Sequence, residues 1–387
     1  MRYQMGNKKN ILLLNYEYPP LGGGGVAAKK LAEAFVQKGY HVDYITTHFN
    51  GLKMEESING VVIHRVPVLG RKNKANASMI SLLLFPFCAY HKTVQLCKSH
   101  KYEFINTHFA VPTGPLGVWI SKKFNIPNIL SLYGGDIYDP TKKFPPHKWL
   151  IFRLCIKYVL KHSDYVIAQS SNTRENAQKY YCSQTQIQII PLPYQKVEFD
   201  AVTRQNIGLN VSDTYLISIG RLVRRKGYDY LLHALAEINK PDLKLIILGE
   251  KPEKENLEKL IKENGLENRV IMPGFVSENK KFQYLNSSDI YVLSSVHEGF
   301  GIVLQEAMQV GLPIVSTNYG GQVDIVKENE NGILVKNRSA TALAQGISRL
   351  ISNRELMNRM RQNNIKKVKE FYADAIADAY INCIKRK

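Results

Sequence analysis

The sequence predicts an α/β protein made of two doubly wound, Rossmann-like domains facing a cleft. Three observations carry that expectation. Short β-branched or apolar runs alternate with segments of helical period along the whole chain, as in parallel sheets with crossover helices. The runs fall into two series separated by a polar, turn-rich stretch. At 387 residues and 44% hydrophobic content, the chain can also bury two cores of ordinary size.

In the first series, ILLLNY (11–16), HVDYITT (41–47), VVIHRVPV (61–68), FINTHF (104–109), NILSLY (128–133), YVIAQS (165–170) and IQIIPLP (187–193) read as strands. In the second, YLISIG (215–220), LKLIILG (243–249), VIMPGF (270–275), IYVLSS (290–295), PIVSTN (313–318) and GILVK (332–336) each precede helical or turn material. PLPYQKVEFDAVTRQNIGLNVS lies between them and reads as the interdomain link. The expected division is 1–195, 196–370 and a C-terminal helix over 371–387. In that helix Phe371, Ile376, Tyr380 and Ile384 lie on or near one face, suited to packing back on the N-terminal domain. Ligands of such sheets bind beyond the carboxyl ends of the strands.

Composition removes several function classes. Five scattered cysteines, without CxxC or paired ligand spacing, suit a reducing compartment and predict no metal site. The early apolar run ILLL is too short for a signal-peptide core. No stretch approaches the roughly 20 apolar residues of a membrane span, and MISLLLFPFCAY (79–90) is interrupted by Ser81 and Pro86. A cytoplasmic protein is expected, either soluble or peripheral on the inner face of the membrane.

The formal charge of +19 is uneven, because residues 1–200 carry 25 Lys and Arg against 12 Asp and Glu. That balance fits phosphorylated substrates or an anionic membrane surface. Zinc-finger spacing, an RNP-like aromatic stretch and a basic low-complexity tail are all lacking, so nucleic acid is not an expected partner. RKNK (71–74), ahead of MISLLLFPF, is a candidate docking segment; the plainer alternative is a solvated loop followed by a core-facing crossover helix.

Three segments carry chemistry. NYEYPPLGGGGVAAKKLAEAF sets four glycines, Gly24 and Gly25 among them, between a strand and a helix, where backbone N–H groups can approach an anion. It is not the GxGxxG fingerprint, since Pro19 and Pro20 lengthen the turn and no acidic residue ends HVDYITT. SIGRLVRRKGYDYLLHALA places Arg221 and Lys226 at the carboxyl edge of a sheet, where they can clamp a phosphate; Arg224 and Arg225 read as a solvated turn. In HEGFGIVLQEAM, Glu298 precedes a helix and Glu306 lies inside it. Ionised carboxylates among apolar neighbours need cations, donors or a hydroxyl-rich ligand.

With LGGGG, GRLVRRKG, PGFVS (273–277) and above all EGFGIVLQEAMQVGLPIVSTNYGG (298–321), the chain resembles the retaining GT-B glycosyltransferases of family 4 along nearly its whole length. The last segment has the family's E-x7-E spacing. The resemblance implies transfer of a sugar from a nucleotide diphosphate to a glycan or lipid-linked acceptor, without a metal or other cofactor, in surface polysaccharide or glycoconjugate assembly. It implies that Glu306 accepts the donor's ribose hydroxyls and that Glu298 holds the transferred sugar. The amides of Phe300, Gly301 and Ile302 would face the sugar or diphosphate, with Phe275 and Val276 beside the base. Arg221 and Lys226 would neutralise the departing diphosphate. His108, Tyr133 and Asp136 would line the acceptor side.

There are two departures. The family often has an HGxD-like segment where SLYGGDIYDP has Tyr133, and IIPLPYQKVEF lacks the usual glycine-containing turn. Tyr133 can donate one hydrogen bond but carries no positive charge near neutral pH. Alternatives on the same architecture are a nucleotide-sugar epimerase, a sugar phosphorylase, or an inert sugar-nucleotide-binding module.

Overall fold

The computed structural model describes residues 9–18, 23–71, 78–139 and 145–385. Pro19, Pro20, Lys72 and Lys74 lie outside them. The chain divides into two compact units, Met1–Gln195 with Tyr372–Lys387, and Lys196–Phe371.

The first unit runs β1 (Asn10–Leu14), α1 (Gly23–Gln37), β2 (His41–His48), β3 (Glu55–Ile58), β4 (Val61–Pro67), α2 (Met79–Ser99) and β5 (Tyr102–His108). It continues α3 (Gly114–Phe124), β6 (Asn128–Leu132), α4 (Leu150–His162), β7 (Tyr165–Ala168), α5 (Ser171–Tyr180) and β8 (Gln188–Ile189). The sheet order is β3-β4-β2-β1-β5-β6-β7-β8, and every pairing except β3 with β4 is parallel.

Strand alternation divides the core into two layers. Ile11 and Leu13 join α1 on one face, whereas Leu12 and Leu14 join α2 and α3 on the other.

The second unit runs β9 (Thr214–Ile219), α6 (Tyr228–Glu237), β10 (Leu243–Leu248), α7 (Lys254–Glu263), β11 (Val270–Gly274), α8 (Glu278–Asn286) and β12 (Ile290–Leu293). Then come α9 (Ile302–Gln309), β13 (Ile314–Thr317), α10 (Gln322–Ile325), β14 (Gly332–Val335), α11 (Ala340–Ile351) and α12 (Arg354–Lys367). Its six-stranded sheet, in the order β11-β10-β9-β12-β13-β14, is parallel throughout. The last helix, α13 (Ala373–Lys385), belongs to the first unit, where Ile376, Ala377, Tyr380 and Ile381 are buried among α1 residues. Phe371 does not share that face; it remains in the second unit, its ring edge-on to Phe300 at 6.3 Å.

Two elements differ from the sequence expectation. β3 is an antiparallel edge strand whose solvent-facing EESI hides its strand character, yet Asn59–Gly60 after it is a two-residue turn with both φ values positive (51° and 81°). An Asn-Gly pair flanked by strands is a strong hairpin signal. IQIIPLP yields only a two-residue strand, because Pro191 and Pro193 cannot donate to a ladder.

β3 is tied down by a charge relay that is buried at Asp43 and His64 and exposed at Glu55. His64 on β4 places Nε2 2.8 Å from Asp43 Oδ1 and Nδ1 3.1 Å from Glu55 Oε1, while Tyr102 donates to Asp43 Oδ2 at 2.6 Å. Burial lowers the imidazole's affinity for a proton, but the two carboxylates outweigh it and hold His64 above its usual value. Burial likewise raises Asp43, but its hydrogen bonds from His64 and Tyr102 outweigh that and hold it below its usual value.

The folded state therefore binds the His64 proton more tightly than the unfolded chain. That stabilisation is full below pH about 6.5 and is lost as pH rises through the raised value. Asp43 acts oppositely, stabilising above pH about 4 and losing its effect as pH falls. His64→Gln should flatten the alkaline side of a melting-temperature profile and cost about 1–3 kcal/mol near pH 6. Superimposable wild-type and variant profiles would show that the relay contributes nothing.

Candidate active site

In the second unit the loops following β9 and β12, and the helix α9, carry the acidic and basic residues singled out in the sequence. GRLVRRKG after β9 is fastened to the loop after β12. Val296 N donates to Arg225 O at 2.8 Å, and Ser294 Oγ donates to Lys226 O at 2.9 Å. This brings Lys226 Nζ to 2.5 Å from Glu298 Oε2, with Arg225 Nη1 at 3.8 Å from the same oxygen. Burial would raise the Glu298 carboxyl, but Lys226 and Arg225 outweigh it and keep the group ionised below the usual range.

Arg225 is thus not the solvated residue expected, because it also donates to His297 O at 3.2 Å. Arg221 is exposed, and its side chain has no protein partner among the described residues.

Glu298 leads directly into α9. Gly301 caps that helix at φ 99°, a left-handed conformation open to glycine. No side chain caps α9, so its first N–H groups remain available to an anion. NYGG after β13 closes against this turn at backbone distance. Gly321 N donates to Glu298 O at 2.8 Å, and a Cβ at Gly321 would stand 2.0 Å from Gly299 O.

Glu306 lies one turn into α9 with its Oε1 2.7 Å from Lys281 Nζ on α8, and its buried Oε2 has no partner. Lys281 escaped sequence reasoning because VSENKKFQY reads as a solvated helix start; only tertiary folding shows that this lysine turns inward. Phe275, just beyond β11, is 78% exposed, with Val276 half-buried beside it. Phe300 is buried.

In the first unit a second cluster forms at the carboxyl ends of β5 and β6. His108 is enclosed, its Nδ1 2.5 Å from Tyr133 Oη. Burial pushes the imidazole down to about 3, so it is neutral across the physiological range. His108 Nε2 has no partner. Tyr133, half-buried, is the outer member of the pair.

Asp136 accepts from Tyr133 N at 3.0 Å and from Ala110 N at 2.8 Å, locking the two loops together. Its oxygens are thus committed to the protein backbone, which makes it a positioning residue. Gly24 begins α1 against these groups, since a Cβ there would lie 2.6 Å from Phe109 Cζ and 2.9 Å from the Tyr133 ring. Gly25 is buried in the same first turn.

Residues 21–194 match the family described as Glycosyltransferase Family 4, and residues 200–367 match Glycosyl transferases group 1. The fold and these matches define a sugar-transferring enzyme of the GT-B class. The chain belongs to the family-4-like glycosyltransferases. An uncharacterized glycosyltransferase of Methanocaldococcus jannaschii is 28% identical over 97% of both chains. Sucrose-phosphate synthase from Thermosynechococcus elongatus superposes with a TM-score of 0.81 at 22% identity, covering 98% of this chain and 99% of the other. HepE of Anabaena, solved with UDP and with UDP-glucose, gives TM-scores of 0.75 and 0.72 at 20% identity, covering 98% of this chain and 100% of that one.

Proposed function

We propose that the protein is a retaining glycosyltransferase that takes a sugar from a nucleotide diphosphate and delivers it to a hydroxyl of a glycan or lipid-linked acceptor. The likeness to a protein solved with UDP-glucose supports a nucleotide-sugar donor. Relatives named for lipopolysaccharide core and teichuronic acid biosynthesis support a setting in surface polysaccharide or glycoconjugate assembly.

One observation carries the donor assignment. Around the uncapped start of α9 stand a carboxylate held by cations, Glu298, and a second, Glu306, with one oxygen free. Glu306 Oε2 suits a ribose hydroxyl, and Glu298 suits a hydroxyl of the transferred sugar. Lys226, with three donors, can keep Glu298 and still reach a phosphate oxygen, while Arg221 is free to add a second cation. The base would lie along Phe275 and Val276, with the α9 amides from Phe300 to Ile302 on the diphosphate or sugar.

In the transfer step the bond from the anomeric carbon to the phosphate oxygen breaks as the acceptor oxygen bonds on the same face. The acceptor's proton passes to the departing phosphate. Tyr133, oriented by His108, would hydrogen-bond the acceptor. Charge on the leaving group is neutralised by Arg221 and Lys226, so activity is expected to survive EDTA.

The decisive experiment incubates the protein with UDP-, GDP- and ADP-sugars and candidate acceptors, then reads the product's anomeric configuration by NMR. Retained configuration on an acceptor supports the reading. An epimerised or phosphorylated free sugar would replace it with one of the rival chemistries. Activity abolished by EDTA and restored by Mg²⁺ would overturn metal independence.

A further inference from the structure

The helices α2, α3 and α4 cover one face of the first sheet, with α3 packed against both neighbours. Their sequences contain seven Lys and Arg and no Asp or Glu. α1 and α13 on the opposite face carry Glu33, Asp374 and Asp378, and α5, which joins α4 through the buried Ala177, carries Glu175, so the lack of acid belongs to α2, α3 and α4.

The layer also exposes large apolar side chains that no other described residue covers. On α2, Leu83 is 48% and Phe87 65% exposed; at the start of α4, Leu150, Ile151 and Leu154 are 59–69% exposed and Trp149 is 45% exposed. They are not scattered. Each helix runs back from the carboxyl end of one parallel strand to the start of the next, so the first turns of α2 and α4, with Leu83, Leu150 and Ile151, lie towards the carboxyl edge of the sheet, while Phe87, further along α2, lies against Trp119 of α3 at 5.3 Å. His108 and Tyr133 lie at that same edge.

Between the apolar groups of α4 stand Lys148, Arg153, Lys157 and Lys161, all exposed. Of the docking segment expected at RKNK, Arg71 is buried with its guanidinium over Tyr16 at 4.9 Å, and Lys72 and Lys74 lie outside the described residues.

We propose that this face docks on a bilayer bearing anionic lipid, with the start of α4 as its principal anchor and the first turns of α2 beside it. Apolar side chains among cations match the boundary between acyl chains and anionic headgroups. Trp149 suits that depth, and the lysine stems can lie along apolar surface while their charges reach the phosphates. An acidic protein would answer the charge but leave the row of leucines and Trp149 without purpose. From the proposed function the surface takes only its consequence, that docking brings the edge holding Tyr133 towards an acceptor carried on a lipid.

The test is co-sedimentation of the full chain with phosphatidylcholine vesicles and with vesicles that also contain phosphatidylglycerol. Binding is expected only to the latter, falling with salt. Arg153→Ser with Lys157→Ser should weaken it by about thirtyfold, fivefold for each charge. Leu150→Ser with Leu154→Ser should weaken it at unchanged charge, and melting temperatures would show that both variants are folded. Replacing Lys254 and Lys259 on α7 with serine should change nothing.

Equal sedimentation with neutral vesicles, none with either, or indifference to the α4 substitutions would overturn the proposal. Donor turnover with a soluble acceptor, measured on the same preparations, separates the two readings. Turnover without vesicle binding removes only the docking surface, and vesicle binding without turnover removes only the transfer reaction.

Discussion

Glu298→Gln is expected to fold normally and to lose about 10²–10³-fold in turnover. The reason lies in what Glu298 does to its neighbours. Its carboxylate holds Lys226 at 2.5 Å and draws Arg225 to 3.8 Å, so one anion fixes two cations where a diphosphate would depart. Glutamine keeps the shape but frees the ammonium to wander, and it presents a weaker acceptor to a sugar hydroxyl.

Alanine is a poorer probe. It leaves Lys226, only 10% exposed, without its counter-ion, and breaking a buried pair on one side costs about 3 kcal/mol or more. Lys226→Met should lower turnover by a similar factor, and the double variant should lose less than the product of the two, since the groups act as a unit. The readouts are kcat and KM for the donor, together with melting temperature. Glu298→Gln with wild-type turnover would remove this residue from the active site.

The elements around this site were legible in the sequence to different degrees. Parallel strands buried on both faces read as plain apolar runs, so LKLIILG and IYVLSS could be placed within a residue or two. The loop-to-helix boundary at Gly301 was equally plain, because glycine there answers a backbone need, φ 99°. Pairings across the fold left no such mark. RRKG reads as one inward cation, Lys226, after a solvated pair, and that Arg225 stands behind Lys226 comes from backbone hydrogen bonds to the loop after β12. Asp136 is similar. The family resemblance sets it on the acceptor side, and in the fold both its oxygens hold backbone amides. Spacing identifies residues that meet at one edge, but not whether they face a ligand or one another.

Removing the charge of Glu306 should act on binding more than on chemistry. Its Oε1 is held by Lys281 at 2.7 Å, and its Oε2 is buried without a partner. An unpaired buried acceptor costs about 1–3 kcal/mol, which a ribose hydroxyl would offset on binding. Glu306→Gln should therefore raise the Kd of the nucleotide diphosphate by about tenfold or more while kcat at saturating donor changes little.

Lys281→Met should weaken binding in the same sense, because the carboxylate loses the ammonium that orients it, and Lys281→Arg should restore part of the loss. The sharper measurement compares each protein's affinity for the nucleotide with that for its 2′-deoxy and 3′-deoxy analogues by calorimetry. The native site should reject an analogue lacking the contacted hydroxyl by about 5- to 150-fold, since the carboxylate is then left unpaired, and Glu306→Gln should shrink that ratio towards one. A variant that binds both analogues with native affinities and native ratios would place the ribose elsewhere. Loss of discrimination in Glu306→Gln but not in Lys281→Met would leave Glu306 as the contact and deny Lys281 its orienting role.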